Sequence, residues 1–222
     1  MDRYAHRRSQ AKVIVKDAKG LPVKGQKVRF TLENHEFKFG CNIFWFVDLM
    51  KDDIAPEKKE QLEKLWASWS GLFNFGTLPF YQGSYEPREG VTREKETLKA
   101  AKFLSENGVQ LKGHPLCWHT VAARWLMEKT VDEVFENQLA RISRELTAFK
   151  KYVTMWDVIN EVVIMPVFTA EKNAITPLCQ KMGRVGLIKA LFERAHAEDP
   201  NATLLLNDFN TSDKYRELIC LC

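Results

Sequence analysis

The sequence lacks the patterns that would assign it to several large classes of proteins. No apolar run is long enough to span a membrane. Arg7 and Arg8 near the start are not followed by the apolar stretch of a secretory signal. Lys and Arg form no dense stripe, and the net charge is only +4 over 222 residues. We therefore expect neither a membrane nor a nucleic acid as a partner, whereas the compartment and the oligomeric state stay open.

Cysteine is scarce and irregularly placed. The chain has 5 cysteines, which is an odd number, and no Cys-x-x-Cys pair. This pattern excludes a disulfide framework and a structural zinc site, so we expect mostly buried thiols and no cofactor. The cysteines are Cys41, Cys117, Cys179, Cys220 and Cys222.

What the chain does contain is an alternation of strand and helix patterns from residue 36 onward. An apolar content of 45% and a charged content of 28% are ordinary for a globular protein, and the length suffices for about one domain. Apolar residues at three- and four-residue spacing predict helices, and short apolar runs between them predict strands. Strands are predicted over 36–43, 72–78, 109–116, 152–160 and 202–206, and helices over 56–70, 93–107, 131–149, 183–198 and 213–222.

The first part of the chain has a different pattern. Ala11–Lys16 and Lys27–Leu32 alternate between apolar and polar residues, and turn signals containing Gly20 and Gly25 separate them. We predict that residues 1–35 form a small antiparallel β ribbon that packs on the main domain, residues 36–222.

Strands that alternate with helices of this length predict parallel βαβ units. The pattern gives about five such units, whereas a closed (β/α)8 barrel has eight. The last predicted helix has an apolar face formed by Tyr215, Leu218, Ile219 and Leu221, which requires a partner. We therefore expect an α/β fold that is a partial (β/α)8 TIM barrel, truncated after about five units. The alternative is a smaller, complete open sheet.

The stretch from Tyr152 to Glu161 is the most informative in the chain. Its nearly continuous apolar run is typical of a strand that is covered on both faces, and Asn160 and Glu161 stand where this strand ends. In barrels of this kind the catalytic groups lie at the carboxyl ends of the strands. A carboxyl group among apolar side chains can hold a proton near neutral pH and give it to a leaving group. The alternative is that Glu161 only caps a helix or pairs with an arginine.

The segment from Trp156 to Glu161 resembles the acid/base motif of glycoside hydrolase family 10, the endo-1,4-β-xylanases. Lys112 to Thr120, at the end of the third barrel strand, is similar to the Gly-His-Thr-Leu-Val-Trp-His segment of that family. Imidazole nitrogens can bind sugar hydroxyls, and an indole offers a flat apolar surface to the face of a sugar ring. The resemblance implies that His114, Trp118 and His119 line the subsite of the sugar whose bond is cut. Two alternatives are a core role for these residues and a metal site formed by His114, Cys117 and His119.

A third motif covers Thr203 to Asn210 and is similar to a family strand that ends in Asn-Asp-Tyr-Asn. Asn207 and Asp208 are expected to orient the acid/base carboxyl group or to touch the substrate. The alternative is that Asp208 only begins a loop.

One part of the chain departs from the family pattern. The second strand of family members leads into a Glu-Asn-x-x-Lys segment that holds the non-reducing side of the substrate, and this segment is absent between Phe73 and Pro87. Phe80, Tyr81 and Tyr85 are expected to replace its polar contacts with stacking. The departure leaves the exact sugar open.

The resemblance implies a retaining endo-1,4-β-xylanase that acts on xylan or a related β-linked polysaccharide. Glu161 would serve as the acid and then the base, and Asn160 would bind the sugar 2-hydroxyl. The nucleophile of the family is a glutamate on the seventh strand, which the printed sequence does not reach, so this chain alone is expected to be inactive. Two other readings are a catalytically inactive carbohydrate-binding barrel protein and a metal-dependent hydrolase on a similar barrel.

Overall fold

The structure is a computed structural model that describes residues 10–32 and 36–209. The chain divides into two compact units between Phe37 and Lys38. The helix predicted over residues 213–222 and residue Asn210 of the third motif lie outside the described residues.

The first unit contains a turn and a single antiparallel bridge. Asp17 forms the turn, because its side-chain oxygen Oδ1 accepts hydrogen bonds from the backbone nitrogens of Lys19 (2.8 Å) and Leu21 (2.9 Å). Lys16 and Pro22 form the bridge. Residues 11–16 and 27–32 form no continuous strand beyond this bridge, and the ribbon as a separate domain stays a prediction. Packing of this unit on the main domain stays a prediction.

The second unit is built on a parallel sheet of five strands that lie side by side in the order of the sequence. Each strand pairs with the next in sequence, which places all carboxyl ends at one edge. This order is that of consecutive strands in a (β/α)8 barrel, and it confirms the predicted partial barrel. The strands are β1 (Gly40–Asn42), β2 (Phe75–Pro79), β3 (Gln110–His114), β4 (Val153–Asn160) and β5 (Thr203–Asn207).

Amphipathic periodicity predicted most of the helices that connect these strands. The bounds of α2 (Pro56–Ser70) and α5 (Val131–Phe149) agree with the prediction to the residue. The start of α5 is fixed by Thr130, which accepts a hydrogen bond from the backbone nitrogen of Glu133, while the carboxylate of Glu133 accepts one from the backbone nitrogen of Thr130. No helix in the described ranges is long and apolar enough to cross a membrane. The helices are α1 (Phe46–Leu49), α2 (Pro56–Ser70), α3 (Gln82–Tyr85), α4 (Glu94–Glu106), α5 (Val131–Phe149) and α6 (Ile175–Glu198).

Helix α6 begins earlier than predicted. It starts at Ile175 instead of Gly183, and it is interrupted at Gly183, where the backbone adopts φ 71° and ψ 160°. A glycine reaches this conformation without steric cost, so it joins two helical segments at a kink. In the sequence the same glycine was interpreted as the start of the helix.

Strand β4 lies in the centre of the core, as its apolar run predicted. Trp156 and Ile159 are fully buried. Trp156 pairs with Gly113 of β3, and a Cβ atom at position 113 would overlap the indole ring of Trp156. Glycine is therefore required at position 113, because the buried indole ring of Trp156 occupies the space that a Cβ atom would need.

Hydrogen bonds between β3 and β4 continue past the end of β3. The backbone nitrogen of Cys117 donates to the carbonyl oxygen of Val158 (3.0 Å), and the nitrogen of Asn160 donates to the carbonyl oxygen of Cys117 (3.0 Å). This pairing ties the segment after β3 to the end of β4, so Trp118 lies beside Glu161. A register shift between Asp157 and Ile159 marks a bulge in the pairing of β4 with β5.

Candidate active site

Glu161 occupies a strained backbone position at the carboxyl end of β4. Its φ is 53°, in the left-handed region that residues other than glycine seldom adopt. The conformation is held by a hydrogen bond from the nitrogen of Glu161 to the carbonyl oxygen of Asn207, at 2.8 Å. Strained residues of this type concentrate at functional sites, where the surrounding structure fixes them.

The carboxylate of Glu161 is held by an indole and faces solvent only in part. Trp118 donates a hydrogen bond from Nε1 to Oε2 of Glu161, at 2.9 Å. The Glu161 side chain is 22% exposed. Its polar side-chain contacts within the described residues are to Trp118 and His119, so pairing with an arginine is not its role here. Trp118 is half-buried and is hydrogen-bonded to the carboxylate of Glu161. It is therefore part of the site and not of the core.

His119 lies behind the carboxylate and is fully buried. Its Nε2 atom is 3.9 Å from Oε2 of Glu161, which is too long for a hydrogen bond, and neither ring nitrogen has a hydrogen-bond partner among the described residues. The ring packs on Phe168, with 4.2 Å between the ring centroids. Burial lowers the pKa of His119 to about 4, so the imidazole is neutral at physiological pH.

The buried imidazole predicts a specific loss of stability in acid. The unfolded chain protonates His119 below its ordinary pKa of 6.5, whereas the folded protein does so only near pH 4. The unfolded state therefore binds more protons in this window, and the free energy of unfolding falls as the pH drops from 6.5 to 4. We expect His119→Met to remove roughly 2–3 kcal/mol of this pH-dependent loss, measured by urea unfolding at several pH values.

Other acidic groups titrate in the same window, so the comparison depends on a control. The matched control is His196→Gln, which removes an exposed histidine on α6 and leaves the buried site intact. Parallel stability curves for the parent and His119→Met would contradict a neutral, buried His119.

His114 is oriented by the buried carboxylate of Asp157, which the sequence motifs do not predict as part of the site. Its Nδ1 atom is 2.6 Å from Oδ2 of Asp157, and Nζ of Lys112 lies 2.8 Å from the same oxygen. Asp157 is 0% exposed. Because an ionised carboxylate can only accept hydrogen bonds, Nδ1 of His114 carries a proton and Nε2 is left for a ligand. The informative signal in the sequence was a single aspartate within an otherwise apolar strand.

Asn160 and Asn207 meet at the ends of β4 and β5. Their side-chain amides are hydrogen-bonded, with 2.7 Å between the nearest polar atoms. In this bond Nδ2 of Asn207 donates to Oδ1 of Asn160. The opposite orientation of the Asn160 amide gives up this bond and instead turns the oxygen toward Nε1 of Trp118 (3.2 Å) and the nitrogen toward the backbone oxygen of Asn207 (3.3 Å). Asp208 accepts a weak hydrogen bond from the backbone nitrogen of Val163 (3.4 Å). Asn207 thus holds both Asn160 and the backbone of Glu161.

Of the three aromatic residues expected to stack on substrate, only Tyr81 lies in the site. Phe80 and Tyr85 are 0% and 2% exposed, so that expectation is wrong for these two residues. The reason is that Tyr85 donates a buried hydrogen bond to Glu145 (2.6 Å), while the carbonyl oxygen of Phe80 accepts one from Arg141. The Phe80 ring packs on Phe149 and Trp156 in the core, whereas Tyr81 lies beside His114 and Trp118.

The alternative of a metal centre finds no geometric support. In residues 10–32 and 36–209, no group of three or more His, Cys, Asp or Glu side chains is arranged to hold a metal ion. Cys117 is fully buried, and burial raises the pKa of its thiol to about 12. A thiol of this kind is a poor ligand, since metal binding requires the thiolate.

Comparison with known proteins agrees with this geometry. The family model described as glycosyl hydrolase family 10 matches residues 82–220, which is more than half of the chain. Among curated proteins, the chain is 30% identical over 151 residues to the endo-1,4-beta-xylanase/feruloyl esterase of Xylanibacter ruminicola. The match covers 60% of this chain but only 20% of that protein.

Solved structures show the same fold. A GH10 structure from Paenibacillus barcinonensis matches with a TM-score of 0.64 at 23% identity, and the match covers 83% of this chain and 55% of that one. Xylanase 10B from Thermotoga petrophila RKU-1, in complex with xylobiose, matches with a TM-score of 0.61 at 21% identity, over 82% of this chain and 54% of that one. The chain therefore spans less than two thirds of the length of these relatives.

Proposed function

The chain belongs to glycosyl hydrolase family 10, and from this premise we propose that it carries the acid/base half of a retaining endo-1,4-β-xylanase site. The substrate would be xylan or a related β-1,4-linked polysaccharide. Because the chain covers only part of its relatives, the activity is proposed for the protein that contains these residues.

The observation that carries the proposal is the placement of Glu161. Its carboxyl group stands at the carboxyl end of a central barrel strand, 2.9 Å from the indole nitrogen of Trp118 and mostly shielded from water. Hydrolysis of a glycoside requires a carboxylic acid that protonates the departing oxygen. A carboxyl group on a rigid strand, beside an aromatic surface for the sugar, is placed to meet that requirement.

The proposed reaction has two steps. Glu161 first protonates the leaving oxygen while a second carboxylate, about 5–5.5 Å away, attacks the anomeric carbon. Glu161, now ionised, then removes a proton from the water that releases the sugar. We assign the attacking carboxylate to none of the described residues.

The neighbouring side chains would bind and orient the sugar. Asn160 is proposed to contact the 2-hydroxyl, with Asn207 holding its amide at 2.7 Å. His114 is proposed to contact a hydroxyl through Nε2, because its Nδ1 is engaged by Asp157. Trp118 would place its indole surface against the sugar ring, and the buried ring of His119 would support the carboxylate from behind.

The proposal is tested by activity on a panel of polysaccharides. We expect a purified protein that contains these residues together with the rest of the barrel to release reducing ends from β-1,4-xylan faster than from β-1,4-glucan, β-1,4-mannan or starch. Proton NMR of the first products should show the β anomer, since two displacements at the anomeric carbon retain its configuration.

Two outcomes would count against this proposal. An initial α anomer would exclude the retaining mechanism. Binding of xylan without any release of reducing ends would favour the alternative, a carbohydrate-binding barrel protein without catalysis.

A further inference from the structure

Tyr81 stands at the carboxyl end of the sheet next to two residues of the proposed sugar site. Its ring centroid is 5.4 Å from that of His114, nearly perpendicular to it, and 5.6 Å from that of Trp118. These distances are typical of contacting aromatic rings. On its other side Tyr81 meets Phe44, at 5.6 Å in an edge-to-face arrangement. The three rings and the imidazole therefore form one continuous surface.

The hydroxyl group of Tyr81 is free to bind a ligand. It makes no hydrogen bond to any residue in the described ranges, and it is not shut off from solvent. Burial raises the pKa of this phenol, and the negative charges of Asp157 and Glu161 raise it further. The phenol thus keeps its proton and is an O–H donor that lies within the field of both carboxylates.

The neighbouring tyrosine shows by contrast what a structural role looks like. Tyr85 is 2% exposed, and its hydroxyl donates to Glu145 at 2.6 Å. Buried tyrosine hydroxyl groups normally have such a partner. Tyr81 instead has a half-buried side chain beside His114 and Trp118, and its hydroxyl makes no hydrogen bond within the described ranges.

We propose that Tyr81 is a substrate-contacting, specificity-determining residue, whose ring extends the sugar-binding surface of Trp118 and whose hydroxyl binds a hydroxyl group of the sugar held at Glu161. This proposal rests on the proposed function and adds a residue outside the segment matched by the family model, which begins at residue 82. It also replaces the broader expectation that three aromatic residues stack on the substrate.

The test separates the hydroxyl from the ring by two substitutions. Tyr81→Phe removes only the hydroxyl, and we expect xylobiose and xylotriose to bind about three- to tenfold more weakly, the usual loss for one hydrogen bond. Tyr81→Ala also removes the ring surface and should weaken binding by roughly a further tenfold. Dissociation constants are measured in the Glu161→Gln background, where turnover does not interfere.

A matched control and a chemical readout distinguish binding from a structural effect. Tyr152 lies at the opposite, amino-terminal end of β4 beside Lys151, so Tyr152→Phe should bind like the parent protein. Xylobiose analogues that lack one hydroxyl in turn then identify the contact. The analogue without the contacted hydroxyl should bind the parent protein more weakly, but should lose nothing further on Tyr81→Phe.

The failure of this proposal differs from the failure of the proposed function. If the parent protein binds another oligosaccharide in place of xylo-oligosaccharides, the proposed substrate is wrong and the same Tyr81 variants are measured with that sugar. If the parent protein binds none, the premise of both proposals is removed. Unchanged binding by Tyr81→Phe, with unchanged thermal stability and no coupling to any deoxy analogue, would overturn the role of Tyr81 alone.

Discussion

Replacing Glu161 with glutamine is expected to slow the cleavage of xylan by roughly 10²–10⁴-fold, the usual contribution of a positioned general acid. Glutamine preserves the size of the side chain and can still accept a hydrogen bond from Trp118, which donates to Oε2 at 2.9 Å in the present structure. It cannot supply a proton to the departing sugar oxygen. The loss should therefore appear in kcat/KM for xylan, with little change in the free energy of unfolding.

Substrates with different leaving groups show which step depends on Glu161. The dinitrophenolate of a dinitrophenyl glycoside leaves without being protonated. The glycosyl intermediate should therefore form from this substrate almost normally in Glu161→Gln. Release of that intermediate still needs a base, so we expect a burst of dinitrophenol followed by a slow steady state. Azide, a nucleophile that needs no deprotonation, should accelerate the slow phase.

The control for this prediction is a glutamate that is remote from the site. Glu193 lies exposed on α6, with Lys189 at 3.8 Å, and Glu193→Gln should leave both substrates unaffected. Equal losses by Glu161→Gln on xylan and on the dinitrophenyl glycoside, without a burst, would contradict the role of Glu161 as the acid.

Much of the fold follows from periodicity because the relevant signals are local. The apolar stripe of α5 and the continuous apolar run of β4 were sufficient to place both elements. The four-residue helices α1 and α3 are too short to show a period of 3.6, and they were not predicted. The sequence pattern predicts the start of α6 at Gly183, because a glycine inside a helical pattern can mark a helix boundary as well as a kink.

The site shows the same division between local and long-range information. The sequence placed Trp118 and Glu161 at the ends of neighbouring parallel strands, and the structure joins them by a hydrogen bond. It could not show that Lys112 and Asp157 meet, because their contact depends on the irregular register between β3 and β4. Nor could it show that the Phe80 ring lies in the core, because its packing partners, Phe149 and Trp156, are distant in the sequence.

The second large effect is expected from Asp157, the buried carboxylate that orients His114. Asp157→Ala removes the acceptor for Nδ1 of His114 and leaves the ammonium group of Lys112, which is only 20% exposed, without its partner. Breaking a buried ion pair on one side costs about 3–5 kcal/mol, and the partial exposure of Lys112 reduces this to roughly 2–4 kcal/mol. Urea unfolding should show this loss, and xylan cleavage should fall with it.

A double-variant cycle separates the effect on stability from the effect on the site. Lys112→Met combined with Asp157→Ala removes both charges, so most of the lost stability should return, because an apolar replacement of a buried pair is often close to neutral. Activity should not return, since His114 still lacks the carboxylate that lies 2.6 Å from Nδ1 and fixes its tautomer. Recovery of both stability and kcat/KM would show that Asp157 only balances the charge of Lys112. Recovery of stability alone would show that the buried carboxylate of Asp157 orients the imidazole of His114.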